Sequence, residues 1–318
     1  MNALKNALVV PTIREANIKE FLREWSAHDF DTIVVEDNPQ KSFNLNSDIE
    51  HFSWKEIDEE LGNKSWIISR RDSAIRSFGF YYAYKMGYEN IFTLDDDCLP
   101  INISFIEDHL KNLNNFSQWT HSVPGQRTRG FPYGDVGKNT NVKVSMGLWE
   151  NVPDYDAIQE LSGNNPKLVL PTEVRLMPAN QYFPLCGMNM CFKREIAPLM
   201  YFPLQGKGWP YGRFDDIWCG VIMKKVCDWL RFQIAVGPPN VNHTRASNVF
   251  KNIIKEAPGI GFHDTFWKSI DEVDLTNDNP IGCMVEISEK LSNSNDEYLR
   301  KVGYAIKDWA DIFLNVTL

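Results

Sequence analysis

Short apolar runs alternate with helical patterns through the first third of the chain, and this alternation limits the fold more than any other feature. Residues 7–10, 32–35 and 90–94 have the length and composition of buried strands. Between them, apolar residues recur at the i, i+3, i+4 spacing of amphipathic helices. We therefore predict an α/β fold with a mostly parallel, Rossmann-like central sheet flanked by helices, and a further short strand at 66–68.

Polar residues follow three of these strands directly. Pro11, Thr12 and Arg14 follow the first strand, Asp37 follows the second, and three consecutive aspartates at 95–97 follow the strand at 90–94. In an open parallel sheet, ligands bind beyond the carboxyl ends of the strands. We expect these polar clusters to converge on one edge of the sheet and to form a ligand site there.

The remainder of the chain is less regular. Residues 114–213 are rich in Pro, Gly and Asn and predict mostly loops, with one strand at 142–149. A segment at 215–230 is apolar almost all round and predicts a buried helix, and an amphipathic helix closes the chain. We predict a catalytic domain at 1–260 with a C-terminal helical extension, 261–318, packed on it.

The composition excludes several classes of protein. The chain has 33 Lys and Arg against 42 Asp and Glu, a net charge of −9, which argues against a nonspecific nucleic-acid binder. An anionic small ligand stays compatible with this charge, because a metal ion or a few cations suffice to hold it. The six cysteines show no disulfide or zinc spacing, and no apolar stretch reaches the roughly 20 residues of a membrane span. We expect a cytoplasmic protein with reduced thiols and without a signal peptide.

The aspartates at 95–97 are the strongest local indication of chemistry. Adjacent carboxylates repel one another, and a hard cation such as Mg²⁺ or Mn²⁺ would offset this repulsion while keeping coordination positions for substrate phosphates. A solvated acidic loop or a helix cap is the alternative reading. His243 follows a Gly-Pro-Pro segment and is a candidate further ligand, although a lone histidine is more often structural.

Arginines and further carboxylates supply candidate ligand contacts. Arg70 and Arg71 precede Asp72 at a predicted helix start, where a phosphate would meet both guanidinium groups and the helix dipole. The alternative is a solvated first turn capped by Asp72. Arg245 is a second candidate phosphate ligand. Asp37 is a candidate acceptor for the imide N–H of a uracil ring, or an ordinary turn aspartate.

Asp215 and Asp216 precede the predicted buried helix. Aspartate is favoured at helix N-termini, so capping alone would account for the pair. The functional reading is that one of them acts as a general base or binds a sugar hydroxyl. Arg127 and Arg129 lie in the irregular region and, on local grounds, are ordinary loop arginines.

The chain resembles the reversibly glycosylated polypeptides, whose best-described members are plant UDP-arabinopyranose mutases. The likeness runs from residue 10 to about residue 256 and rests on segments in a fixed order, at 71–79, 95–98, 147–157, 186–189, 212–218 and 246–248. The resemblance implies a glycosyltransferase A-type fold. It also implies a UDP-sugar, with UDP-arabinose as the first candidate, bound together with Mn²⁺ or Mg²⁺ at the aspartates.

The resemblance assigns roles to particular residues. The Arg-Gly-Phe-Pro segment that begins at Arg129 matches the family's reversibly glycosylated arginine, so Arg129 becomes a candidate catalytic residue beside Asp215 and Asp216. The matching segments add to the substrate-binding candidates Arg76, Asp95, Asp96, Trp149, Gly187 and Asn189. The metal ligands implied are Asp95, Asp97 and His243.

Three functions follow from these residues. The first is an isomerase that interconverts the pyranose and furanose forms of a UDP-linked sugar, UDP-L-arabinose foremost. The second is a glycosyltransferase that passes the sugar to an external acceptor or to its own arginine. The third is a noncatalytic scaffold, against which the intact aspartates and Arg129 count. The sequence leaves the sugar, the base and a homo-oligomeric state open, because the segment at 135–140 and the chain beyond 257 depart from the plant pattern.

Overall fold

The computed structural model describes residues 6–123, 126–163, 169–244 and 248–316. Within these residues, nine strands form one sheet with helices on both of its faces. The strands are β1 (Asn6–Thr12), β2 (Asp31–Glu36), β3 (Glu50–Phe52), β4 (Asn90–Leu94), β5 (Cys98–Pro100), β6 (Val142–Asn151), β7 (Arg175–Leu176), β8 (Asn189–Lys193) and β9 (Gln233–His243). The helices are α1 (Glu15–Glu24), α2 (Trp54–Leu61), α3 (Arg76–Met86), α4 (Phe105–Asn114), α5 (Ala157–Ser162), α6 (Asp215–Trp229), α7 (Val249–Asp271), α8 (Pro280–Ser292) and α9 (Glu297–Leu314).

The strand order of the sheet is β3-β2-β1-β4-β8-β6-β9-β5, with β7 pairing with β9. Strands β1 to β4 are mutually parallel, with Val10 opposite Val34 and Val9 opposite Thr93. Strand β8 is antiparallel to both β4 and β6, so β6 and its parallel neighbour β9 run in the same direction as β1 to β4. The predicted α/β fold with a mostly parallel sheet is confirmed.

The buried strands at the centre of the sheet hold the helices close to it. Residues Ala7 to Val10 of β1 are completely buried, as expected for a strand covered by helices on both faces. Helix α3 approaches β1 at Gly79, where a Cβ atom would collide with the side chain of Val9. The absence of a side chain at Gly79 therefore allows this close contact, which also brings the start of α3 to the edge of the sheet.

Some predicted elements differ from the structure. The strand predicted at 66–68 is wrong, because Gly62–Ile67 forms a 3₁₀ helix directly after α2. This segment packs against the C-terminal helix instead of the sheet, with Lys64 paired to Asp311 at 2.9 Å. The helix predicted at 215–230 is confirmed as α6. The predicted strand at 142–149 is confirmed as β6, whereas β8 in the predicted loop region was not foreseen.

The C-terminal helices α8 and α9 cover one side of the core. Trp309 of α9 is fully buried and donates a hydrogen bond from Nε1 to the carbonyl oxygen of Pro198 at 2.8 Å. Tyr298 donates from its hydroxyl to the carbonyl oxygen of Leu204 at 2.7 Å. The predicted boundary at 260/261 falls inside α7, and the division into two units stays a prediction. Among the described residues, no helix has the length and apolar character needed to cross a membrane.

Candidate functional site

A cleft of about 1170 Å³ opens at the carboxyl ends of β1, β2 and β4. The loop before α6, the end of β9 and the first turns of α7 form its other walls. Its volume is of the order expected for a binding site for a small organic molecule. The sequence-predicted site residues that line it are Pro11, Thr12, Arg14, Asp37, Arg71, Asp72, Arg76, Asp95, Asp96, Asp97, Trp149, Gly187, Asp215, Asp216 and His243.

The carboxylates of Asp95 and Asp96 are paired with arginines. Asp95 pairs with Arg76, which is 2% exposed. Burial would raise the pKa of Asp95, but the charge and hydrogen bond of Arg76 outweigh it and hold this pKa below its ordinary value. Asp96 pairs with Arg14 and accepts a hydrogen bond from Thr12 at 2.6 Å, yet burial still raises its pKa.

Asp97 is only partly compensated. Its Oδ2 accepts a hydrogen bond from Arg14 at 3.3 Å, whereas its buried Oδ1 has no hydrogen-bond partner among the described residues. Nε2 of His243 lies 3.8 Å from this oxygen. The other ring nitrogen, Nδ1, is 2.8 Å from the carbonyl oxygen of Val152, which can only accept, so Nδ1 carries the hydrogen. Nε2 is therefore the ring nitrogen that stays available toward the carboxylate of Asp97.

A cation between Asp97 and His243 would satisfy both groups. In most metal sites, a ligating histidine donates a hydrogen bond from the N–H of its other ring nitrogen to a carbonyl oxygen or a carboxylate. No group of three or more potential metal ligands of the His, Cys, Asp or Glu type is assembled within the described residues. The pair nevertheless fits Mg²⁺ or Mn²⁺, since such ions are often held by one or two protein ligands together with substrate phosphates and water. Asp95, the third predicted ligand, is occupied by Arg76.

The end of β2 is organised around the indole of Trp54. Asp37 accepts hydrogen bonds from Nε1 of Trp54 at 2.7 Å and from the backbone N–H of Asp72 at 3.0 Å. Burial raises the pKa of Asp37 despite these bonds. Arg71 lies over the same indole and donates to the carbonyl oxygen of Asp37 at 3.1 Å. The structure therefore gives Asp37 two protein partners in addition to any base that it contacts.

Asp215 and Asp216 begin α6 at the floor of the cleft, as predicted. Asp215 is buried and accepts a hydrogen bond from the hydroxyl of Ser73 at 2.6 Å. Asp216 accepts from the backbone N–H of Gly187 at 2.8 Å. Burial, followed by the charges of Asp215 and Asp154, raises the pKa of Asp216 to about 8. The carboxyl of Asp216 therefore keeps its proton to a higher pH than an ordinary aspartate does.

Trp149 supplies an unpaired donor to the cleft wall. Its Nε1 is buried and has no hydrogen-bond partner within the described part of the chain. Buried indole N–H groups usually find a partner. A ligand oxygen in the cleft would provide one, which favours the predicted role of Trp149 in substrate binding.

Glu256 is a site residue that the sequence reasoning missed. It is 3% exposed, accepts from Nε of Arg213 at 2.6 Å and accepts from the backbone N–H of Ala157 at 2.7 Å. Arg213 has a positive φ of 65° and lies just before the aspartates of α6. Glu256 thus joins three walls of the cleft, α5, α7 and the loop before α6. Local sequence patterns carry no signal for contacts between such distant segments.

Several predicted residues lie elsewhere. Asn189 is fully buried behind the cleft and donates to the carbonyl oxygens of Leu148 and Pro239. Arg70 lines a separate cavity and pairs with Asp58. Arg129 is exposed on an irregular segment and does not line the cleft. Arg245 lies outside the described residues.

Together, the sheet and the cleft place the molecule among α/β proteins that have a polar, ligand-sized cleft at the carboxyl ends of parallel strands. The particular family follows from the sequence. The chain belongs to the reversibly glycosylated polypeptide family, whose model matches residues 2–317.

The curated relatives are similar to this chain over nearly its whole length. UDP-arabinopyranose mutase 2 of Arabidopsis thaliana is 34% identical, covering 96% of this chain and 90% of the relative. UDP-arabinopyranose mutase 1 of Oryza sativa subsp. japonica is 33% identical, covering 96% and 89%. Among solved structures, the mannosyltransferase PcManGT of Pyrobaculum calidifontis, in complex with GDP-Man and Mn²⁺, has a TM-score of 0.44 at 12% identity and covers 97% of this chain and 74% of that chain. A structural likeness this weak says nothing about the function of the present chain.

Proposed function

We propose that this protein is an isomerase that interconverts UDP-L-arabinopyranose and UDP-L-arabinofuranose. The observation that carries the proposal is the near full-length likeness to proteins named UDP-arabinopyranose mutases, joined to a cleft with the charges that such a substrate requires. The fold of the catalytic part would be of the glycosyltransferase A type. A cytoplasmic location and a homo-oligomeric state stay predictions.

The reaction requires that the bond between the anomeric carbon and the diphosphate breaks and later re-forms. Asp97 and His243 would hold Mn²⁺ or Mg²⁺, which when bound offsets the negative charge of the diphosphate. Arg14 and Arg71 line the same part of the cleft and carry guanidinium groups suited to phosphate oxygens. Trp149 would donate its unpaired N–H to the substrate.

Between these two events, the ring must exchange its oxygen. The C4 hydroxyl loses a proton as it becomes the furanose ring oxygen, and the former pyranose ring oxygen gains one as it becomes a hydroxyl. A group that serves both transfers has to act as base and as acid, which favours a carboxyl whose pKa lies near the working pH. Asp216, with its pKa of about 8, meets this requirement, and Asp215 lies beside it to bind a sugar hydroxyl.

Arg129 is proposed to stabilise the departing diphosphate or to accept the sugar transiently. The second role requires a neutral guanidine, which is costly because the pKa of arginine exceeds about 12. Either role requires the segment around Arg129 to approach the cleft, since the side chain lies outside the cleft wall. Arg129→Ala should abolish interconversion, and unchanged turnover would contradict both roles. Mass spectrometry of the arginine peptide after incubation with labelled UDP-sugar distinguishes them.

The decisive experiment is incubation of the protein with Mn²⁺ and UDP-arabinopyranose in the absence of any acceptor. If the protein is a mutase, UDP-arabinofuranose should appear, and chromatography of the reaction mixture would detect it. A glycosyltransferase would yield only slow hydrolysis, and a scaffold protein would yield no product. Asp216→Asn, which keeps the size of the side chain but cannot accept a proton, is the matched control and should form no furanose.

A further inference from the structure

A second cavity, of about 470 Å³, adjoins the cleft. Arg70, Asp58 and Trp66 line it from the side of α2 and the following 3₁₀ helix. Lys207 and Trp209 line both this cavity and the cleft, so the two spaces share one wall. None of the roles proposed above uses this cavity.

Three cations gather around one indole at this wall. The charged groups of Arg70, Arg71 and Lys207 lie 5.4, 5.2 and 5.5 Å from the ring centre of Trp54. The indole face offsets part of this repulsion. Asp58 pairs with Arg70 at 2.8 Å, but its side chain is 57% exposed, so water screens its charge. Asp37 is the second carboxylate near these cations and interacts with both Arg70 and Arg71. Three positive groups thus face two carboxylates within a chain whose net charge is −9.

The guanidinium group of Arg70 has a hydrogen-bond partner for only one of its two terminal nitrogens. Nη2 donates to Asp58, whereas Nη1 is buried and has no hydrogen-bond partner among the residues that the structure describes. An unmet buried donor on a charged group is costly, and a ligand acceptor would remove this cost. Burial correspondingly lowers the pKa of Arg70, as expected for a guanidinium group with too little compensation.

The backbone fixes Lys207 beside Arg70. The N–H of Lys207 donates to the carbonyl oxygen of Arg70 at 2.8 Å. The preceding Gly206 has a φ of 76°, and a Cβ there would lie 2.6 Å from the same carbonyl oxygen. Only glycine permits this approach. The fold therefore holds the backbones of Arg70 and Lys207 in contact, and the ammonium group of Lys207 lies within reach of the cavity that Arg70 lines.

We propose that this cavity binds a phosphate group, either free or esterified to a small sugar, at a site separate from the diphosphate site of the cleft. The fork of Arg70 and the ammonium group of Lys207 suit the oxygens of a phosphate group. The volume leaves room for an organic substituent, and the rings of Trp66 and Trp209 suit the apolar face of a sugar. Trp66 is fixed by a hydrogen bond from Nε1 to Asp308 at 3.0 Å.

Titration calorimetry of the full chain with inorganic phosphate tests the site with two variants, one expected to weaken phosphate binding and one expected to tighten it. Arg70→Gln should weaken binding about tenfold or more, as expected for loss of a charge-assisted hydrogen bond. Asp58→Asn should tighten binding, because it removes the competing carboxylate, and misfolding cannot mimic such a gain. Arg23→Gln, at an arginine of α1 that is 69% exposed and lines neither cavity, is the matched control and should leave the phosphate affinity unchanged.

The proposal is overturned if Arg70→Gln and Asp58→Asn leave the phosphate affinity unchanged, or if Arg23→Gln weakens binding as much as Arg70→Gln does. A loss in Arg14→Gln without a loss in Arg70→Gln would overturn it as well, because the phosphate would then bind in the cleft. Titration with glucose 1-phosphate then identifies the source of the phosphate group. Tighter binding than inorganic phosphate, lost in Trp66→Ala, indicates a sugar phosphate, whereas equal affinities indicate free phosphate. None of these outcomes depends on mutase activity, so failure of the proposed function would leave the result interpretable.

Discussion

Asp216 should make the stability of the ligand-free protein depend on pH in a way that Asp216→Asn removes. The folded protein raises the pKa of this carboxyl from its ordinary 3.8 to about 8, chiefly through burial and then through the charge of Asp215. Between these two values the native state holds a proton that the unfolded state has released. The free energy of unfolding of the wild type must therefore fall as pH rises through this range.

The slope of this effect is fixed by a single proton. Each pH unit corresponds to about 1.36 kcal/mol, so between pH 5 and 7.5 the wild type should lose about 3 kcal/mol relative to Asp216→Asn. Asparagine resembles the protonated carboxyl and does not titrate in this range, and the charges of Asp215 and Asp154 that contribute to the shift are present in both proteins. The variant should therefore be more stable than the wild type at neutral pH, although it is predicted to be inactive.

Guanidinium denaturation of both proteins at half-unit pH steps measures this difference. The matched control is Asp264→Asn, because the side chain of Asp264 is 76% exposed and stays in water in both states. Parallel stability curves for the wild type and Asp216→Asn would show that Asp216 is an ordinary carboxylate. Asp216 would then lack the raised pKa that a combined acid and base in the cleft requires.

Three further substitutions test separate parts of the site. Asp97→Asn should abolish the dependence of UDP binding on Mn²⁺ in calorimetry, and an unchanged metal response would place the metal elsewhere. Gly206→Ala should cost about 1–3 kcal/mol of stability in denaturant, since a Cβ would meet the carbonyl oxygen of Arg70 at a positive φ; an unchanged midpoint would refute this. Glu256→Gln should cost about 2 kcal/mol and lower kcat/KM, because a buried carboxylate loses its charge-assisted bonds. If the kcat/KM of this variant equals that of the wild type, Glu256 has a structural role alone.

The N-terminal part of the site follows from the sequence because of one geometric rule. Parallel strands end at the same edge of the sheet, so Thr12, Asp37 and the aspartates after β4 converge whatever their detailed contacts. The rule needs only the alternation of strands and helices, and that alternation is visible in the sequence.

The second half of the site could not be predicted in the same way. Strand β9 contains Pro238 and Pro239, which predict a turn, yet the strand continues to His243. Its pairing with β6 shifts register between Met146 and Leu148, and such an irregularity tolerates residues that cannot donate to the ladder. Because of these two prolines, the sequence does not predict the strand that positions His243.

The side chains of the adjacent residues Arg70 and Arg71 lie in different cavities, which the sequence does not predict. Arg70 and Arg71 were expected to contact one phosphate, but Arg71 has a positive φ of 58°. This conformation helps to turn the two side chains toward different cavities, with Trp54 between them. A left-handed residue other than glycine is rare, and side-chain type alone gives no reason to expect it here.

The charges of the cleft explain why a cation is expected at one particular place. Asp95 is compensated by Arg76, Asp96 by Arg14, and Asp216 by a retained proton. In these three cases, the negative charge of the carboxylate is compensated within the protein and requires no ligand. Oδ1 of Asp97 is the one carboxylate oxygen among the buried, unpartnered atoms of the described residues, and Nε2 of His243 lies 3.8 Å from it. Arg14 reaches only the other oxygen of Asp97, Oδ2, at 3.3 Å, so the side of Oδ1 is the position at which a bound cation would supply a missing partner.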